Sequence, residues 1–326
     1  MRQDRTITPC GPQPFARVDG QGINVATLSD AVAKILDRLD QGLGFTLFTL
    51  NLDHLDKRRT DPAFRAAYAR ATFVTADGAP VVALARRQGA VLSRSTGADL
   101  IEPLCRAASV SKIPIYLFGS SQEVLARAAA ELRRRCPGFE VRGTEAPPWG
   151  FEPDSDDADA AGRRIAASGA RLCFVALGAP KQEIFADRMA QLTPGVGYLC
   201  VGAGLDFLGG GQNRAPVLAQ RLNLEWFWRM AGNPRRLGLR YARCAVLFAR
   251  LLLSADRPSA DRPVVDQAGA TQPGRGQNPG LILGSALQAP QVARRPHLEI
   301  IHTLEPRLQQ SRAPRRLHLR DVSAAR

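Results

Sequence analysis

Short uninterrupted apolar runs alternate with amphipathic helical patterns over most of this chain, and this alternation limits the fold more than any other feature. Strand-like runs occupy residues 45–50, 72–75, 113–118, 139–142, 172–177 and 197–201. Helical patterns occupy residues 28–39, 62–70, 79–87, 98–108, 123–135, 156–167 and 181–191. Continuously apolar strands separated by helices are typical of parallel sheets that are covered on both faces. We therefore predict an α/β fold with a Rossmann-like, mostly parallel sheet and helices on both faces.

Small or polar residues follow five of these apolar runs. They form the segments 49–51, 77–80, 119–121, 178–183 and 202–207. The carboxyl ends of parallel strands meet at one edge of a sheet, and ligands of such folds bind there. We therefore expect a ligand site at this edge, with the carboxylate of Asp77 among its side chains.

Three of these segments also have a purely structural interpretation. Asp77 can serve as the N-cap of the helix that begins near Pro80. Residues 119–121 suit a phosphate at a helix N-terminus, and they suit a plain strand-to-helix turn equally well. Lys181 and Glu183 fit a solvated first helical turn. These alternatives stay open on the sequence alone.

The chain lacks the patterns that bind common cofactors and metals. The glycines at 202 and 204 do not complete a dinucleotide-binding pattern, because Phe207 stands at its last glycine position and no helical pattern follows directly. A nicotinamide-dependent oxidoreductase is therefore disfavoured. The six Cys form no C-x-x-C pair, and His54 is the single His before residue 297. We expect no cofactor and no metal site.

The sequence also indicates where the protein works. No apolar segment typical of a signal peptide is visible near residue 1, and the scattered thiols fit a reducing compartment. The apolar run 244–253 includes Arg250, whereas a spanning helix needs about 20 apolar residues. We predict a cytoplasmic protein without a membrane-spanning helix.

Positive charge and aromatic residues concentrate late in the chain. The formal net charge is +14, and Lys and Arg number 44, of which only four are Lys. Residues 221–253 contain seven Arg, the single acid Glu225 and two Trp. A cationic segment with bulky aromatic residues is typical of helices that lie at a membrane surface. A helix packed on the body by its apolar face is the alternative, and nucleic-acid binding lacks a supporting motif.

Composition changes divide the chain into four segments. We predict an N-terminal extension over residues 1–17, an α/β domain over 18–220, a membrane-association appendage over 221–253 and a disordered tail over 254–326. The tail is rich in Pro, Gly, Gln and Arg and shows no sustained periodicity, which favours disorder.

Six short motifs in order resemble the WecG/TagA/CpsF family of bacterial glycosyltransferases, glycosyltransferase family 26. The resemblance extends from about residue 18 to residue 241. The motifs are Thr49-Leu50-Asn51, Ala76-Asp77-Gly78-Ala79-Pro80, Thr96-Gly97-Ala98-Asp99-Leu100, Gly178-Ala179-Pro180-Lys181-Gln182-Glu183, Asp206-Phe207 with Arg214-Ala215-Pro216, and Leu224-Glu225-Trp226 with Pro234-Arg235-Arg236.

The resemblance implies roles for individual residues. Asp77 corresponds to the proposed general base, and Thr49 to a residue beside it. The candidate substrate-binding residues are Asn51, Gly78, Thr96, Asp99, Gly119, Ser120, Gln182, Asp206 and Arg214. The candidate contacts to lipid diphosphate or membrane are Arg221, Arg229, Arg235, Arg236 and Arg240.

The resemblance also implies a reaction. Family members transfer a sugar from a UDP-sugar to a polyprenyl-diphosphate-linked sugar, with inversion and without a required metal. The expected partners are these two substrates and the inner face of the cell membrane, with peripheral association, and a homo-oligomer remains open. The alternative is a non-catalytic anion-binding or membrane-adaptor protein that uses its Arg-rich segment without turnover.

Overall fold

Each strand of the central sheet runs parallel to its neighbours, which confirms the predicted fold class. The computed structural model describes residues 13–212, 215–216, 228 and 234–254. The strands are β1 (Ala16–Val18), β2 (Gln21–Ile23), β3 (Phe45–Leu50), β4 (Phe73–Ala76), β5 (Ile115–Gly119), β6 (Val141–Glu145), β7 (Leu172–Ala176) and β8 (Gly197–Cys200). Strands β3 to β8 form the sheet in the order β4-β3-β8-β7-β5-β6, and β1 pairs with β2 as a separate antiparallel hairpin.

Helices cover both faces of this sheet, as predicted. They are α1 (Leu28–Asp40), α2 (Leu52–Thr60), α3 (Pro62–Arg70), α4 (Ala79–Arg87), α5 (Gly97–Ser111), α6 (Gln122–Arg135), α7 (Asp156–Ala167), α8 (Lys181–Leu192), α9 (Gly204–Leu208) and α10 (Pro234–Leu253). Side chains of one strand point alternately to opposite faces. Phe48 and Leu50 therefore belong to one apolar core, and Phe45 and Leu47 to the other.

The strand order creates a natural ligand position beside β3. The chain passes from β3 to β4 on one side, whereas β8 pairs with β3 on the other side. In open α/β sheets, ligands bind beyond the carboxyl ends of the strands where the direction of winding changes. The fold therefore directs attention to the ends of β3, β4 and β8.

The sequence patterns did not predict two of the helices. Helix α2 is mostly polar, and it begins because the Asn51 side chain accepts a hydrogen bond from the His54 N–H at 3.0 Å. Helix α9 begins at Gly204, so the expectation that no helix follows the 202–204 glycines was wrong. Its five residues are too few to produce a recognisable amphipathic period.

Helix α10 packs against the domain through one face. Cys244 and Leu247 are buried, and the Arg87 Nη1 donates a hydrogen bond to the Leu252 carbonyl at 2.8 Å. For residues 234–253, the packed-helix interpretation of the cationic segment therefore holds on this face. The opposite face exposes Leu239 and Val246, which are 65% and 53% exposed, among arginines.

Parts of the predicted segments lie outside the described residues. These parts are residues 1–12 of the extension, 213–214 and 217–220 of the domain, 221–227 and 229–233 of the appendage, and 255–326 of the tail predicted over 254–326. Among the helices that are described, none has both the length and the hydrophobicity that a bilayer crossing requires.

Candidate active site

A cavity of about 700 Å³ opens at the carboxyl edge of the sheet, where the strand order predicts a ligand. Residues that follow β3, β4, β7 and β8 form one side of it, and helix α10 forms another through Arg240, Tyr241, Cys244, Ala245 and Phe248. The predicted residues that line it are Thr49, Asn51, Asp77, Gly78, Thr96, Gln182 and Arg240. The structure thus brings together residues that are almost 200 positions apart in the sequence.

Asp77 follows the last residue of β4 and lines the cavity, as does Asn51. The Asn51 Nδ2 donates to the Asp77 Oδ2 at 3.5 Å, and the Asp77 N–H donates to the Leu50 carbonyl at 2.8 Å. The N-cap of α4 is Gly78, with φ of 97° and no side-chain capping bond. The alternative in which Asp77 caps this helix was therefore wrong.

Thr96 and Asp99 join the cavity wall to helix α5. Thr96 is the N-cap of α5, and its Oγ1 accepts a hydrogen bond from the Asp99 N–H at 3.1 Å. Thr96 lines the cavity, whereas Asp99 lies behind it and faces Arg94 at 3.8 Å between Oδ2 and Nη2. Arg94 also lines the cavity, and no sequence pattern predicts this because Arg94 lies in a loop without periodicity.

Gln182 and Glu183 lie in the first turn of helix α8, and Gln182 lines the cavity. Glu183 is fully buried, so the interpretation of both Lys181 and Glu183 as a solvated turn was wrong for Glu183. Lys181 is partly exposed, and its Nζ contacts the Phe151 carbonyl at 2.6 Å and the Glu152 Oε1 at 3.0 Å. Burial raises the pKa of Glu183 to about 8, which favours the neutral carboxyl at pH 7.

Gly119, Ser120 and Asp206 lie together but outside the cavity lining. The Ser120 Oγ donates to the Asp206 Oδ1 at 2.6 Å, and the Ser121 Oγ caps α6 by accepting from the Val124 N–H at 3.3 Å. Gly119 lies so close to the Ala176 backbone that a Cβ would overlap it. These contacts account for the small residues at the turn, and they place Ser120 and Asp206 beside each other rather than beside Asp77.

Charged side chains from α2 and α10 meet at the cavity. The Asp53 carboxylate lies 2.6 Å from the Lys57 Nζ and 3.1 Å from the Arg240 Nε. The Lys57 Nζ also donates to the Ala179 carbonyl at 3.2 Å. Because the Ala179–Pro180 segment precedes α8, Lys57 connects α2 to the wall formed after β7.

The remaining predicted arginines contribute no described contact to this site. Arg235 is exposed at the start of α10. Arg214, Arg221 and Arg229, together with the side chain of Arg236, lie outside the described part of the chain. Within that part, no group of three or more His, Cys, Asp or Glu side chains is arranged to hold a metal ion.

His54 is a buried, neutral residue of the cavity wall. Its Nδ1 lies 2.8 Å from the Tyr68 hydroxyl, and burial lowers the pKa of the imidazole to about 3 from the ordinary 6.5. Between these pH values the unfolded chain binds a proton that the folded chain does not bind. Stability must therefore fall as the pH decreases from 6.5 towards 3.

We expect the free energy of unfolding to decrease by about 1.4 kcal/mol per pH unit through this window because of His54. Urea unfolding at a series of pH values measures this slope. The His54→Gln variant, which cannot bind the proton, is expected to show a shallower acid limb. Equal slopes for the two proteins would show that His54 does not produce the acid sensitivity.

A match to a family model shows to which protein family the chain belongs. The model of the WecG/TagA/CpsF glycosyl transferase family matches residues 16–262 of the 326-residue chain. The chain belongs to this family. The WecG/TagA/CpsF match includes the cavity, all of α10 and the first residues beyond it, and so extends past the limit of about residue 241 that the motifs indicate. As a family member, the protein is a glycosyltransferase of cell-surface polysaccharide biosynthesis.

Proposed function

We propose that this glycosyltransferase moves a sugar from a UDP-sugar to a polyprenyl-diphosphate-linked sugar at the inner face of the cell membrane, with inversion at the anomeric carbon. The observation that carries this proposal is the position of Asp77 at the wall of a cavity to which several helix N-termini converge.

Asp77 is the proposed general base. Inverting transfer is a displacement at the anomeric carbon, and the acceptor hydroxyl must lose its proton as the new bond forms. Asp77 lines the cavity, and the N-cap of α4 is Gly78 rather than Asp77. Asn51 donates a hydrogen bond to it and thereby holds its orientation.

The transfer also requires that the negative charge on the leaving diphosphate be stabilised. The first turns of α2, α4 and α5 and the segment before α8 all line the cavity, through Leu52, Ala79, Gly97 and Ala179. Helix N-termini present free N–H groups and the positive end of the helix dipole, which favour anions. Lys57, Arg94 and Arg240 add cationic side chains at the same wall. In this proposal these groups stabilise the departing UDP without a metal ion.

Helix α10 links the site to the proposed membrane surface. Its inner face forms part of the cavity wall, whereas its outer face exposes Arg235, Leu239, Arg243 and Val246. Exposed Arg next to apolar side chains suits anionic headgroups above an acyl layer. A lipid-linked acceptor would then reach the cavity from the surface on which the helix rests.

Acceptor-dependent release of UDP tests the proposal. The full chain is incubated with UDP-sugars, with and without a synthetic lipid-diphosphate sugar, and UDP is quantified. We expect release that depends on the acceptor. Binding of anionic lipid without UDP release from any donor would instead support the non-catalytic adaptor.

A further inference from the structure

Glu183 is a buried carboxyl group immediately next to a residue of the cavity wall. Its Oε1 accepts a hydrogen bond from the Gln182 Nε2 at 2.7 Å. Its Oε2 is buried and has no hydrogen-bond partner among the described residues. Glu183 does not line the cavity, but Gln182 does. Any effect of Glu183 on the ligand must therefore pass through Gln182.

The Gln182 amide has one chemically allowed orientation in these surroundings. The Gly202 N–H donates to the Gln182 Oε1 at 3.1 Å. A backbone N–H is always a donor, so the amide oxygen must face Gly202 and the amide nitrogen must face Glu183. The two hydrogen bonds together fix the orientation of the Gln182 amide at the cavity wall.

We propose that Glu183 is a positioning residue that fixes the Gln182 amide and, through it, the Gly202 turn at the sugar-nucleotide cavity. This inference rests on the proposed function, because it assigns Gln182 to the donor. The three groups join the first turn of α8 to the segment between β8 and α9, two elements that both line the cavity. Loss of the Glu183 acceptor would allow the Gln182 amide to rotate and would leave Gly202 without a fixed partner.

The surroundings keep this acceptor uncharged at neutral pH. The charged or titratable groups that face Glu183 are Lys57 and Asp53 of α2, Tyr68 of α3 and Cys200 of β8. Burial dominates over the hydrogen bond from Gln182 and the attraction to Lys57, and it raises the pKa of Glu183 to about 8. A neutral carboxyl accepts the Gln182 hydrogen bond without placing a charge in the core. Above about pH 8, ionisation places a charge on a buried group whose Oε2 has no hydrogen-bond partner among the described residues, and we expect water that enters to solvate this oxygen to disturb the arrangement.

Steady-state kinetics of four variants test the role. We expect Glu183→Leu, which removes the acceptor, to raise the donor KM by about tenfold, the value of one buried hydrogen bond. Glu183→Gln keeps a neutral acceptor and is expected to restore the KM. In a Gln182→Ala background, Glu183→Leu should have no further effect, because the residue through which it acts is gone. Equal effects in both backgrounds would overturn the proposal and indicate a merely structural role.

The pH profile provides a second arm that needs no disruptive variant. The donor KM of the unmodified protein should rise above about pH 8, and that of Glu183→Gln should stay flat. Asp187→Asn is the matched control, since Asp187 is a buried acid of the same helix that binds Arg70 outside the cavity. It should lose stability and retain the KM. A rise in KM that is the same with and without Glu183 contradicts the proposal.

Hydrogen–deuterium exchange tests the positioning role of Glu183 independently of the proposed sugar-transfer reaction. In the free protein, the peptide that contains Gly202 should exchange faster in Glu183→Leu than in the unmodified protein or in Glu183→Gln. This result does not require that the donor be a UDP-sugar. Unchanged exchange in Glu183→Leu overturns the positioning role, whereas failure of all UDP-sugars with intact exchange differences overturns the donor assignment alone.

Discussion

Asp77→Asn is expected to lower sugar transfer by about 100-fold or more, the scale of a lost general base, while the protein stays folded. Asparagine has nearly the same shape as aspartate, and its oxygen can still face Asn51, but it cannot take the acceptor proton. The effect should fall on kcat, because the donor contacts elsewhere in the cavity remain. Turnover with saturating donor and acceptor measures it.

The matched control for this variant is Asp157→Asn. Asp157 is an exposed acid in the first turn of α7, outside the cavity lining. Its replacement removes the same charge and should leave transfer unchanged. A folded Asp77→Ala or Asp77→Asn protein with near-normal kcat would remove Asp77 from the role of base.

Removal of residues 221–326 is expected to abolish both association with anionic liposomes and use of the lipid-linked acceptor. Each Arg near an anionic surface contributes about 1 kcal/mol to membrane binding, and residues 221–253 contain seven. The deletion also removes Cys244 and Phe248 from the cavity wall. Co-sedimentation with liposomes and product formation are the two measurements. Removal of residues 255–326 alone should have little effect on either.

A full-length variant keeps this test informative if the shortened protein does not fold. Arg235 and Arg243 are exposed on α10, so Arg235→Glu with Arg243→Glu should reverse charge on the outer face without disturbing the packed face. We expect weaker liposome association, most clearly at low ionic strength. Binding equal to that of the unmodified protein would contradict the membrane role of α10.

The sheet could be predicted from the sequence because its strands are continuously apolar. The predicted range 45–50 is identical to β3, and all six of its residues are buried. Helix α2 could not be predicted in this way, since it is polar and its start depends on the Asn51 cap. The same residues also fit a loop, so a capping residue alone does not predict a helix.

The site residues that follow strand ends could be predicted from the sequence, whereas those that depend on packing could not. Asn51, Asp77 and Gln182 follow three strands whose neighbours in the sheet are set by the fold, and all three line the cavity. The sequence around Glu183 is typical of a solvated helical turn, but the placement of α8 against the sheet buries the Glu183 side chain. Arg94 lies in a loop, and no sequence pattern marks its approach to the cavity.

The most direct test of the central claim is the product of the reaction itself. A synthetic polyprenyl-diphosphate-linked sugar is incubated with the full chain and a panel of UDP-sugars, and the product is examined by mass spectrometry and by NMR of the new anomeric centre. We expect the acceptor to gain the mass of one sugar residue, and we expect the new linkage to have the anomeric configuration opposite to that of the donor. A product with retained configuration, or an acceptor that no UDP-sugar extends, would contradict the proposed function.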